Sequence, residues 1–75
     1  MNNKRRLKLE AAKQKINSCI DAINNIMDEE EDCVSNIPEN LWESDMYQAM
    51  EDNVSILETA IESLEDAVEE LSKIK

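Results

Sequence analysis

The segment NKRRLK gathers four cations, Lys4, Arg5, Arg6 and Lys8, at the start of the chain. Clustered ammonium and guanidinium groups suit a phosphate-bearing anion, and guanidinium can grip one with two parallel hydrogen bonds. If this segment opens a helix, its charges oppose the positive end of the macrodipole, so something acidic must favour them. Two sources are open. One is Glu62, Glu65, Asp66, Glu69 and Glu70, which a folded-back chain would bring to the same end. The other is a small anionic ligand such as a nucleotide, held where several helix N-termini meet. A second grouping is the carboxylate series Glu51, Asp52, Glu58 and Glu62. Spaced along a rigid helix, such a series either solvates a surface or imitates a phosphate backbone for a nucleic-acid-binding protein. A third is the pair of rings, Trp42 and Tyr47, the only aromatics in the chain. Trp and Tyr are enriched in binding hot spots, so both rings join the carboxylates as partner-binding candidates.

Other chemistry is excluded by composition. There is no His for general base work at neutral pH. There is no Gly, hence no phosphate-cradling loop and no dinucleotide-binding turn. No catalytic residue and no cofactor is assigned. The run DEEED at 28–32 lacks the glycine and ligand spacing of a calcium loop. On a helix its carboxylates point around the circumference, so no metal site is expected. Cys19 and Cys33 lie fourteen residues apart on one expected helix. That places their Cα atoms about 21 Å apart, far beyond the ~7 Å limit of a disulfide. Both read as reduced thiols in a reducing compartment. No apolar run approaches the ~18 residues of a membrane span and no signal peptide is evident. The expected location is a reducing cytosol.

The formal charge of −10 is unevenly spread. Six cations lie in the first fifteen residues, and Lys73 and Lys75 close the chain. All of the 18 Asp and Glu except Glu10 fall between Ile16 and Ser72, where there is no Lys or Arg. Duplex nucleic acid is a poor partner for such a body, because its acidic faces repel phosphates.

The elements follow from apolar spacing. Leu9, Ala12, Ile16, Cys19, Ile23 and Ile26 step by three and four, the pattern of a heptad seam. Ile20, Met27 and Val34 widen that stripe. Met50, Val54, Leu57, Ile61, Leu64, Val68 and Leu71 form a second seam, widened by Ala60, Ala67 and Ile74. The spacing predicts a helix over about 3–33, a bend over 34–44 and a helix over about 45–73. Ser44 is the expected N-cap of the second helix. Pro38 cannot continue the first helix and restricts Ile37 to extended backbone, with one helical turn through Glu39, Asn40 and Leu41. The absence of glycine predicts a bend that is helical or extended throughout. Helices of matched length with a short connection form an antiparallel hairpin. The predicted fold is all-α, a single-domain two-helix hairpin.

A chain of 75 residues buries a marginal core alone. Each stripe is wider than a two-helix seam requires. The surplus predicts self-association, as dimer or higher oligomer, into a helical bundle. Glu30 falls on the first seam without a nearby cation, so at the bend end it is expected to reach solvent or to accept from Trp42, Tyr47 or the free amides of the second helix. Leu41, Trp42, Met46 and Tyr47 are expected to fold over Met27, Val34 and Ile37 and plug the end of the bundle. The alternative is an exposed hot spot at the same bend.

The segments KRR, DEEED, NIPENLWES and YQAMEDNVSILETAIESLEDAVEEL cover nearly the whole chain. In them the sequence resembles an uncharacterised family of small acidic proteins encoded by bacteriophages and mobile elements. Asn36, Pro38, Glu39, Leu41 and Ser44 match the family's N-(hydrophobe)-P-E-(S/N)-L-x-x-S element, whereas Trp42 and Tyr47 replace polar or small residues. The resemblance implies a non-enzymatic accessory role, with antagonism of a host defence protein expected. Three readings remain: an inhibitor or adaptor that binds a host protein, an oligomer that sequesters a small nucleotide, and a structural hairpin in a larger assembly.

Overall fold

Two helices account for most of the chain. A computed structural model describes all residues, Met1–Lys75. Helix α1 spans Asn3–Ser35 and helix α2 spans Asp45–Leu71, with one 3-10 turn at Glu39–Leu41 between them. The helices pack along their lengths as an antiparallel hairpin, a rod of 60 × 16 × 12 Å. The termini meet at one end, where the Met1 amino group donates to the Lys75 carbonyl at 3.4 Å.

Both helices start at side-chain caps. Asn2 Oδ1 accepts from the Arg5 amide at 2.8 Å. Ser44 Oγ accepts from the Tyr47 amide at 3.1 Å, as its position before Asp45 predicts. Helix α1 runs two residues beyond the expected Cys33. Asn36 stays in the right-handed region (φ −90°, ψ −2°), and its amide still reaches the Asp32 and Cys33 carbonyls. Helix α2 stops at Leu71, short of the expected Lys73, and the Ser72 hydroxyl donates to the Val68 carbonyl at 2.8 Å.

Pro38 takes extended backbone (φ −59°, ψ 144°), and the 3-10 turn follows it with the Leu41 amide bonded to its carbonyl at 2.9 Å. No residue has positive φ, so the bend has no need of glycine. The indole of Trp42 closes the bend: its Nε1–H donates to the Ile37 carbonyl at 3.0 Å, across the proline.

The packed face of α2 from Met50 to Leu71 is the predicted one, extended at its start by Tyr47, but Ile74, expected to widen it, lies beyond the helix end and is exposed. The packed face of α1 is not the predicted one. Its shielded positions are Leu9, Lys13, Ile16, Ile20, Ile23, Met27, Glu30 and Val34, with Asn24 half-buried at its edge. Ala12, Cys19 and Ile26, expected on the seam, are exposed. Ile20, Met27 and Val34, expected at its edge, stand in their place. The physical reason is volume: Ile20 and Met27 fill the inter-helix space where Cys19 and Ala12 would leave it open. The register accepts one further charged residue, Lys13, in return, and keeps Glu30, which lies on either seam. Lys13 keeps its stem on the seam while its ammonium reaches Glu10 at 3.3 Å. Glu30 sits half-buried near the bend. Only Ile20 (8% exposed) and Ile61 (5%) are buried.

Candidate binding surfaces

With the seam placed, each helix has two flanking columns of residues. On one side of the seam lie Glu10, Asn17, Asn24 and Glu31 of α1, and Glu51, Glu58 and Glu65 of α2. In an antiparallel pair these columns share one broad side of the rod. Glu31 and Glu51 indeed line one shallow cleft, with Val34, Ser35, Val54 and Ser55. The opposite broad side carries Ala12, Cys19, Ile26 and Cys33 of α1, and Met46, Asn53, Ala60 and Ala67 of α2. The rod is therefore two-sided, one side acidic and the other made of apolar and small residues.

The acidic side contains most of the predicted partner-binding carboxylates. Glu58 and Glu62 are four residues apart, as are Glu65 and Glu69. Like charges at this spacing on a helix repel by about 0.2–0.5 kcal/mol per pair. No cation offsets them. The only ion pairs in the protein are Lys13–Glu10 and Lys73–Glu70, each within a single helical turn. Glu51 differs from its neighbours by standing beside Tyr47. Asp52 faces outward, where it accepts a bond from Gln48 Nε2 at 3.0 Å. The acidic residues do not converge on a point: no three of them, with or without a thiol, form a metal-ligating group.

The rings at the bend do not form the expected plug. Trp42 is 49% exposed, and Leu41 and Met46 are exposed beside it. Trp42 stacks on Tyr47, with centroids 6.1 Å apart and planes inclined by 22°. The Trp42 N–H is committed to Ile37 rather than to Glu30, and no side-chain hydrogen bond reaches Glu30. A backbone carbonyl five residues away is a closer acceptor than a carboxylate on the opposing helix. Tyr47 is the half-buried member of the pair. Burial pushes its phenol above the usual 10.0, and the Glu51 carboxylate adds to the shift. Trp42, Tyr47 and Glu51 thus form one neighbourhood, from which Glu58 and Glu62 continue along the rod, while Asp52 stands apart with Gln48.

At the other end, Lys4, Arg5, Arg6 and Lys8 are all exposed. None pairs with a carboxylate of α2, contrary to the pairing expected with Glu62, Glu65, Asp66, Glu69 and Glu70. These cations lie in the first two turns of α1, beyond most of the acidic residues that α2 carries. Arg6 Nε donates instead to the Met1 carbonyl at 3.2 Å. Ile56, 65% exposed and absent from the predicted stripes, lies one turn from Ala60 on the apolar side. Its signal in the sequence was its spacing from Asn53 and Ala60, legible only once the seam is fixed. No helix is long and apolar enough to cross a membrane.

Comparison with known proteins finds no matching family model, no matching curated protein and no matching solved structure.

Proposed function

We propose that this protein acts by stoichiometric binding, without catalysis, and that its acidic side docks on a basic surface of a partner protein. The observation that carries this reading is the unneutralised carboxylate strip of Glu51, Glu58, Glu62, Glu65 and Glu69. A cationic surface laid along it relieves repulsion that the free protein bears at every turn. The exposed indole of Trp42 stands at the end of the strip, where it supplies an apolar anchor. The phage resemblance makes a host protein in the bacterial cytosol, a defence protein above all, the partner class to seek. The test is affinity capture from host lysate with the wild-type chain and with a Glu58→Lys/Glu62→Lys variant. A partner retained in a fixed molar ratio by the wild type, lost in the variant and released by moderate salt supports the reading. Equal retention by both chains overturns it.

A second reading draws on a different observation, the absence of any carboxylate partner for Lys4, Arg5, Arg6 and Lys8. Four free cations at one end suit capture of a small anionic ligand such as a nucleotide. Calorimetry with a panel of cyclic nucleotides decides it. Heat that disappears in Arg5→Glu/Arg6→Glu, with helicity unchanged, supports sequestration. No heat at protein well above micromolar removes it.

A further inference from the structure

We infer that the apolar side of the rod is covered by a second copy of this chain, stacked antiparallel so that the bend of each copy lies against the open end of the other.

The area calls for a cover. The chain exposes 5801 Å² at 8.6 kDa. A globular monomer of that mass exposes about 4,700 Å², leaving an excess of about 1,100 Å². A stable interface needs roughly 800 Å² from each partner. The excess includes the side that carries Ile26 (53% exposed), Ile56, Met46 and Cys19. No carboxylate interrupts the middle of that side, whereas the opposite side is full of them.

Charge and volume choose the orientation. The rod is basic at its open end, through Lys4, Arg5, Arg6 and Lys8, and acidic at its bend, through the DEEED run, Glu39, Glu43 and Asp45. A parallel stack would set bend against bend and repeat every like charge. An antiparallel stack sets each basic end against an acidic one. The same turn matches volumes. Large residues, Ile26 and Ile56, lie toward the bend, and small ones, Ala12 and Ala67, toward the open end. With a two-fold axis across the middle of the rod, Cys19 meets Cys19 of the second copy, and Ile26 meets Ala12 of the second copy. Lys8 then approaches Glu29 of the second copy at the rim. The four helices form a bundle with the carboxylate strips on its two outer sides.

Because this surface is opposite the acidic strip, its test is independent of the partner reading. Sedimentation equilibrium of the full reduced chain at micromolar concentration should give twice the monomer mass. A chain with Cys19 as its only thiol (Cys33→Ser) should be joined into a covalent dimer by a short bismaleimide. A chain with only Cys33 (Cys19→Ser) should not, because the stack carries the two copies of Cys33 to opposite ends. Lys8 and Glu29 are ~31 Å apart along α1, so any coupling between them acts between copies. Lys8→Glu and Glu29→Lys should each weaken the dimer roughly fivefold, and the double variant should recover it. All three leave the seam untouched, and circular dichroism checks that they are folded. A monomer at micromolar concentration overturns the inference. So does a dimer whose Cys33-only chain is joined, since only a parallel stack keeps the two copies of Cys33 at one level.

Discussion

Trp42 illustrates how a single residue can hold a bend without being buried. Its ring is half in water, yet its N–H crosses Pro38 to the Ile37 carbonyl at 3.0 Å. An exposed, singly hydrogen-bonded indole contributes far less than a core aromatic, for which truncation costs about 3–5 kcal/mol. Trp42→Phe removes the bond and keeps the ring, and should cost about 1 kcal/mol or less in urea unfolding. Emission of the free protein should lie near that of hydrated indole; a strongly blue-shifted maximum would contradict the exposed ring. Tyr47, its stacking partner, gives a second residue-scale test. Burial and the nearby Glu51 hold the phenol protonated above its usual 10.0. A raised folded pKa means that the native state favours the neutral phenol. That contribution is complete below pH 10 and is lost as pH rises through the folded value. Tyr47 is the only tyrosine, so tyrosinate absorbance follows it alone. The midpoint should lie above 10.0 in the native protein, fall toward 10.0 in urea, and move down in Glu51→Gln. An unchanged midpoint in urea would remove the burial argument. Tyr47 was legible in the sequence as a binding candidate, but its place on the seam was not, because the N-cap at Ser44 sets where α2 begins.

At the scale of the elements, α2 could be read directly and α1 could not, for one reason. Every seam position of α2 from Met50 to Leu71 is apolar, so one three-four series accounts for it. In α1 two such series overlap, displaced by one residue over most of their length. One runs through Ala12, Cys19 and Ile26 and avoids Lys13. The other runs through Ile20, Met27 and Val34 but includes Lys13, while Glu30 belongs to both. Avoiding the extra charge favours the first, while filling volume favours the second, and volume prevails because the Lys13 ammonium reaches out of the seam to Glu10. The choice is testable. Ile20→Ala should cost roughly 2–4 kcal/mol, as for a buried isoleucine, while Cys19→Ala should leave the hairpin itself nearly unchanged. Comparable losses in both would restore the first register. Ile61, 5% exposed, is the more buried of the two core residues. Ile61→Asp should unfold it, since an unpaired buried charge costs roughly 3 kcal/mol or more; retained helicity at 25 °C would contradict the two-residue core. The boundaries were legible wherever a side chain caps an end, as at Ser44. They were not where an end runs on by backbone bonds alone, as beyond Cys33.

For the whole molecule, the charge distribution gives the final prediction. A rod only 16 × 12 Å in cross-section carries 18 carboxylates against 8 cations, and most of the carboxylates are on or beside α2. Repulsion among them is exposed and within reach of mobile ions, so salt weakens it. The attractive pairs are too few to reverse the sign: two surface ion pairs between residues three apart, each worth only a few tenths of a kcal/mol. The apolar seam is indifferent to screening. Raising sodium chloride from about 10 mM to about 0.5 M shortens the screening length from ~30 Å to about 4 Å. The melting temperature should therefore rise. Glu58→Gln/Glu62→Gln, which removes a repelling pair at four-residue spacing, should raise the low-salt value and flatten its dependence on salt. A melting temperature that falls with salt would mean that attraction across the basic and acidic ends outweighs repulsion within the strip. The carboxylates would then have to be read as satisfied within the protein rather than as waiting for a cationic partner.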